Sequence, residues 1–205
     1  MELLLETLRA RAYDPAWRFD DAPVPVEWAT RHYGEISREG RAFRSDGMVF
    51  YAAGAVEAIE YYRDAPRGPL HPPATAADVE NAERQIGRPL PELLRRLYRE
   101  VADGGFGPGP RGFTRIDEVG ALHRRDREHG RPESWFELAP GGCTMYWYTD
   151  FAKPGNPVLL YDADGWDPHD GESPRDGVRQ VTPSLHEWLG TWAEGGDIWA
   201  AARKQ

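Results

Sequence analysis

Between Pro73 and Gly105 the chain reads PATAADVENAERQIGRPLPELLRRLYREVADGG, an order of residues that predicts two consecutive helices with defined ends. Thr75 stands three residues before Asp78. In this capping-box spacing two side chains satisfy amides that a helix start leaves unpaired. Val79, Ala82 and Ile86 follow at i, i+3 and i+7 and therefore share one face. Gly87 is placed to end the helix in a left-handed conformation. Leu90-Pro91 restarts the chain, because proline at a first helical position gives up an amide that would be unpaired anyway. Leu93, Leu94, Leu97, Tyr98 and Val101 form the apolar stripe of the second helix, which Asp103-Gly104-Gly105 ends.

The set Glu83, Ile86-Gly87, Leu90-Pro91, Leu97-Tyr98 and Asp103-Gly104-Gly105 resembles the SUKH superfamily. Its best-known branch is the cell-wall-assembly-regulator family with its bacterial immunity-protein relatives. Later segments agree in order. Gly112 to Ile116 looks like a first short strand. Phe136-Glu137-Leu138-Ala139, then Cys143 to Asp150, then Pro157 to Asp162 look like the family's antiparallel strands, and Ser184 to Leu189 like its closing helix. The resemblance spans residues 72–193. The chain departs from the family pattern in its long segment 1–71 and in Asp103, where asparagine is common.

With 205 residues, 40% of them hydrophobic, and eight Trp and nine Tyr, the chain can bury one sizeable core. No apolar run approaches the roughly 20 residues that cross a bilayer. Met1 to Glu6 is too short and too acidic for a secretory signal and reads as the start of an amphipathic helix through Leu8. The single Cys143 excludes an internal disulfide and a cysteine-based zinc site. The expected setting is cytoplasmic.

The net charge of −9 is unevenly spread. Residues 1–71 carry 9 basic and 12 acidic groups, residues 72–132 carry 11 and 10, and residues 133–205 carry 5 and 12. Direct nucleic-acid binding needs a basic footprint, which this distribution lacks. A basic protein partner is the better match, because opposite potentials steer encounter.

The expected division is an N-terminal extension, 1–71, and a main domain, 72–205. The extension contains a helix, a hairpin turning at Ser45-Asp46-Gly47 between Phe43 and Val49-Phe50-Tyr51, and a short helix through Val56, Ile59 and Tyr62. Pro66 to Pro73, with four prolines in eight residues, marks the boundary. In the main domain, Cys143, Met145, Trp147 and Thr149 alternate with Thr144, Tyr146, Tyr148 and Asp150, as on a half-buried strand. Either face of that strand is a candidate for a partly open groove. Ser184 caps a last helix with Leu185, Trp188, Leu189 and Trp192 on one face. The sum is an α+β fold with helices packed on one side of a mostly antiparallel sheet.

The sharpest candidate site is the acidic run from Asp162 to Glu172, with Asp164, Trp166, Asp167 and Asp170 between them. It fails the EF-hand template, because Trp166 takes the fifth position and Gly165 comes too early. A run of this kind is ordinarily a solvated acidic loop. If it acts, it fits partner contact better than metal, with Trp166 as anchor in an acidic rim. The helix after Asp117 carries His123, Arg124, Arg125, Arg127, His129 and Arg131, an anion site on one reading and a wet helix face on the ordinary one. No HExxH pair, G-x-S-x-G elbow or P-loop occurs. Cys143, at the start of an apolar strand, reads as a buried inert thiol. The aromatic residues Tyr146, Trp147 and Tyr148 read as core.

The resemblance implies a non-catalytic protein-binding module: an immunity protein that neutralises a cognate bacterial toxin, often a nuclease, by covering its active site. Charge alone assigns the acidic loop as the contact surface. No cofactor, metal, nucleic acid or membrane is expected. The alternatives are a regulatory scaffold of the same fold in signalling or cell-wall assembly, and a small-molecule enzyme that uses the His/Arg helix.

Overall fold

The computed structural model describes residues 1–35, 42–43 and 46–204. The first helix, α1 (Glu2–Tyr13), buries Leu5, Leu8 and Ala12 and leaves Leu3 in solvent. It is followed by β1 (Asp21–Pro25), α2 (Val26–Tyr33), β2 (Ala42–Phe43), β3 (Met48–Ala52) and α3 (Val56–Asp64). The three strands form an antiparallel sheet in the order β1-β3-β2. Pro23 and Pro25 lie on β1, an edge strand, where missing amide donors are tolerated. Ser45, of the turn expected at 45–47, lies outside the described residues. On α3 the buried positions are Glu57, Ala58 and Tyr62, while Val56 and Ile59 are exposed, so the helix is rotated from the face expected through Val56 and Ile59.

The pair α4 (Ala76–Ile86) and α5 (Glu92–Glu100) forms where the sequence places it. Thr75 accepts from the Asp78 amide, and the Asp78 carboxylate accepts from the Thr75 amide, which together contribute about 1 kcal/mol to the helix start. Gly87 ends α4 at φ 84°, a left-handed turn that a side chain would strain. Pro91 sits one position earlier than expected, as the N-cap of α5. The turn between the helices is tied by Glu83, whose Oε1 accepts from the Leu90 amide at 2.8 Å and from Arg95 Nη2 at 2.7 Å.

The glycines after α5 let the chain double back. A Cβ on Gly104 would lie 2.6 Å from the Phe113 carbonyl oxygen. Phe113 donates to Phe106 at 2.8 Å, and Gly105 donates to Phe113 at 2.9 Å. Residues 112–116 therefore fold onto this hairpin-like loop and form no strand, contrary to expectation. Ile116 begins α6 (Ile116–Glu128), and its amide is capped from a distance by Asp103 Oδ1 at 2.7 Å.

The second sheet has the order β4-β5-β6-β7, all antiparallel, from β4 (Trp135–Gly142), β5 (Met145–Asp150), β6 (Val158–Asp162) and β7 (Val178–Thr182). β7 was not anticipated; of its five residues only Val178 and Val181 are apolar. Cys143 is not on a strand. It is exposed in the β4–β5 turn at φ 49°, which corrects the buried-thiol expectation.

Alternation along β5 sends Trp147 and Tyr148 to opposite faces, and both are fully buried. Trp147 and its partner Leu160 face the main core. There the final helix α7 (Leu185–Ala193) brings Trp188 to 5.3 Å from Trp147, ring centre to ring centre. The helices α1, α4, α5 and α6 contribute to the same core, including Leu5 and Leu8. The other face holds a smaller aromatic cluster of Trp135, Tyr148, Leu159 and Tyr161. The expected α+β architecture is thus observed; β5 is buried on both faces from Trp147 to Asp150 and partly open only at its start, at Met145 and Tyr146.

Segment 65–73 is mostly exposed and is tied down at its middle. Arg18 donates to Gly68 O at 2.5 Å, and Arg67 donates to Asp21 O at 2.9 Å. Asp20 reaches the glycine-rich loop after α5 and accepts from the Gly109 amide at 2.7 Å. Burial pushes the Asp20 carboxyl up to about 6.

Candidate functional site

The β6–β7 connection carries the acidic residues in two groups. Asp162, at the end of β6, is half-buried, and its Oδ1 accepts from Thr144 Oγ1 and from the Asp164 amide, both at 3.1 Å. Trp166 is also half-buried. It packs on the Trp135–Tyr148–Tyr161 cluster and donates its Nε1 hydrogen to the Tyr161 hydroxyl at 2.7 Å. These two residues hold the loop down. Asp164, Asp167, Asp170 and Glu172 are exposed. Asp167 Oδ1 accepts from the His169 amide at 2.8 Å, and Glu172 Oε2 accepts from the Asp167 amide at 2.7 Å, around a 3-10 turn at Pro168–Asp170. No lysine or arginine pairs with these four carboxylates among the described residues. The loop is thus internally braced but electrostatically unsatisfied. No group of His, Cys, Asp and Glu among the described residues is placed to hold a metal ion.

The His/Arg helix does not assemble the anion site weighed from the sequence. His123 is buried on the inner side of α6, and burial holds its pKa below the ordinary histidine range. His129 is exposed past the helix end, where its Nδ1 lies 2.7 Å from Arg125 O. Arg131 turns inward and pairs closely with Asp126, its guanidinium 4.7 Å from the Tyr161 ring centre.

That inward turn belongs to a buried polar cluster. Asp126 from α6 and Glu137 from β4 are almost fully buried. The Tyr148 hydroxyl lies between them, donating to Asp126 Oδ2 at 2.9 Å with Glu137 Oε2 at 3.4 Å. Arg125 Nη2 bridges Glu137 Oε2 at 3.1 Å and Asp126 Oδ1 at 3.4 Å. Two carboxylates face two guanidiniums, so the cluster is near balance. Removal from water pushes Glu137 up to about 7, and the Asp126 charge adds to it. The Tyr148 hydroxyl is raised for the same reasons, burial first. The sequence signal for this cluster is Glu137 itself, a charged residue between Phe136 and Leu138 on a strand with an otherwise apolar start.

Because its folded pKa lies above the ordinary value of 4.5, Glu137 contributes most stability below pH 4.5, and loses it as pH rises through about 7. Glu137→Gln removes that titration. The advantage of the variant over the wild type is therefore expected to grow between about pH 5 and pH 8, read as melting temperature. A constant difference across that range would place the carboxylate in water.

Glu137 also floors a cleft of about 720 Å³ between the loop before α6, one face of α6 and the β4–β5 turn. Arg111, Arg115, Leu122, Arg125 and Tyr146 line it, with Cys143 on its rim. The Thr144–Asp162 hydrogen bond ties the base of the acidic loop to that turn. Basic cleft and acidic loop are therefore neighbours across one β-turn.

Residues 73–191 match the sequence model of the SMI1 / KNR4 family (SUKH-1), more than half of the 205 residues. No curated protein matches the chain. The chain belongs to the SMI1 / KNR4 family (SUKH-1).

Proposed function

From that membership we propose that the chain is an immunity protein, which neutralises a basic bacterial protein toxin in the cytoplasm by covering its active site. The family includes immunity proteins and cell-wall regulators, is generally non-catalytic, and often binds partner proteins such as toxins. The observation that carries the choice is the braced acidic loop. Asp167 and Glu172 accept hydrogen bonds from the loop's own amides, Asp164 and Asp170 stand exposed on the same loop, and none of the four has a cationic partner among the described residues. Carboxylates already fixed, as at Asp167 and Glu172, lose little entropy on meeting a basic surface, and all four can gain charge-assisted hydrogen bonds there. Trp166 offers its open side as an apolar anchor beside them, and Asp162 fixes the loop base.

The test pairs wild type with Asp164→Lys/Asp170→Lys, two exposed sites whose change leaves the packing alone. A basic protein captured by wild type is identified, purified and assayed. The expected result is stoichiometric inhibition of its activity, relief of its toxicity on co-expression, and binding by the variant weakened at least about tenfold. Capture without inhibition would remove the immunity role, and equal binding by both proteins would remove the acidic loop as the surface.

A further inference from the structure

The cleft beside α6 has a chemistry opposite to that of the loop. In a chain of net charge −9, three guanidinium groups converge on it. Arg111 is exposed and has no ion-pair or hydrogen-bond partner among the described residues. Arg115 lies 3.1 Å from Asp117 and 3.5 Å from Asp103, with 40% of its side chain exposed. Arg125 spends only Nη2 on Glu137 and Asp126, and 46% of its side chain is exposed. Against these stand Glu118 on the rim and Glu137 on the floor. Tyr146 and Leu122 supply an apolar strip between the charges.

We propose that this cleft docks a short acidic segment of a partner protein, whose carboxylates are received by Arg111, Arg115 and Arg125. Planar guanidinium groups with free donors match carboxylates in two-bond geometry. The volume of about 720 Å³ accepts a few residues of extended chain and is too large for a single inorganic anion. An incoming carboxylate competes with Glu137 for Arg125. Glu137 is faced by Arg125 and Asp126 of α6, by Arg131 beyond that helix and by the Tyr148 hydroxyl of β5; His71, Arg115 and Glu118 face the same cleft. With Glu137 pushed up to about 7, its protonation on acidification removes the competitor while the ligand's own carboxylates stay charged. This inference does not rest on the immunity reading, because the arginines of the cleft and the carboxylates of the acidic loop are different residues and are altered separately.

The probe is a fluorescein-labelled hexaglutamate peptide, read by fluorescence anisotropy at low salt, with hexaglutamine and hexalysine as controls. Saturable, salt-sensitive binding of hexaglutamate alone is expected. Arg111→Glu and Arg125→Gln should each weaken it about tenfold, the loss of one charge-assisted hydrogen bond. Glu137→Gln should tighten binding at about pH 8 and flatten its dependence between about pH 6 and 8, which a merely structural role would not do. Arg111→Glu keeps the test sound if the Arg125 variant fails to fold, because Arg111 is exposed and its side chain has no ion pair or hydrogen bond among the described residues. Absence of saturable binding, undiminished binding by both arginine variants, preference for hexalysine, or full displacement of the peptide by stoichiometric inorganic phosphate would each overturn the proposal.

Discussion

Trp188→Ala is expected to remove about 3–5 kcal/mol of stability, the cost of truncating a fully buried tryptophan and leaving a cavity. Trp188 stands at the meeting point of the molecule. Its ring centre is 5.3 Å from Trp147 of β5 and 6.4 Å from Phe113 in the loop before α6. Sheet, closing helix and cleft wall therefore share one side chain, and the gap cannot close by moving only one of them. With total stabilities of about 5–15 kcal/mol for domains in general, the loss brings the chain close to unfolding at ordinary temperature. Urea denaturation with unchanged slope and a lower midpoint is the expected signature. A loss below about 1 kcal/mol would mean that α7 does not seat as described.

Arg131→Met should cost a similar amount, about 3–5 kcal/mol, for an electrostatic reason. Asp126 is almost completely buried, and Arg131 is its closest cation. Without Arg131 the carboxylate keeps only the Tyr148 hydroxyl at 2.9 Å and Arg125 Nη2 at 3.4 Å. The double change Asp126→Asn/Arg131→Met removes both charges and leaves an amide oxygen for the Tyr148 hydroxyl. It should restore most of the loss, because the penalty lies in the stranded charge and not in the missing contact. Denaturation of the two single variants and the double variant gives the coupling directly. Additive losses would show that the two groups do not sense each other. The contrasting case is Arg96, which pairs with Glu2 and Glu100 on the surface, where water already screens both partners and deletion costs little.

These two positions also show what was legible in the chain and what was not. Trp188 was legible because helix periodicity is local: Leu185, Trp188, Leu189 and Trp192 recur on one face after a Ser184 cap, and all are buried. The same reasoning placed the ends of α4 and the strands around Trp147. It failed where the deciding partner is distant in sequence. Asp126 sits in a run of charges on α6 and reads as wet surface; only the fold brings Glu137 and Tyr148 against it. Residues 112–116 look like a strand, but their backbone hydrogen-bond partners are scattered over Gly105, Phe106, Gly109 and Leu138, and no continuous ladder forms. Cys143 follows an apolar alternation yet falls in the turn, because β4 and β5 pair through register shifts that end at Gly142. The acidic loop was legible as composition. That Trp166 spends its N–H on Tyr161, and that a basic cleft adjoins the loop, depended on β6 pairing with β5.

The packing of α1 against α7 has a consequence for biosynthesis. Leu5 and Leu8 lie in the same core as Trp188 and Trp192, and the Arg11 guanidinium rests 4.1 Å from the Trp192 ring centre. α1 is translated long before α7, so this contact forms only after the residues between them have been made. Until then α1 has only its contacts with α5 and the other earlier elements, and the core it shares with Trp188 and Trp192 stays incomplete. Such distant pairings slow folding and lengthen exposure to aggregation.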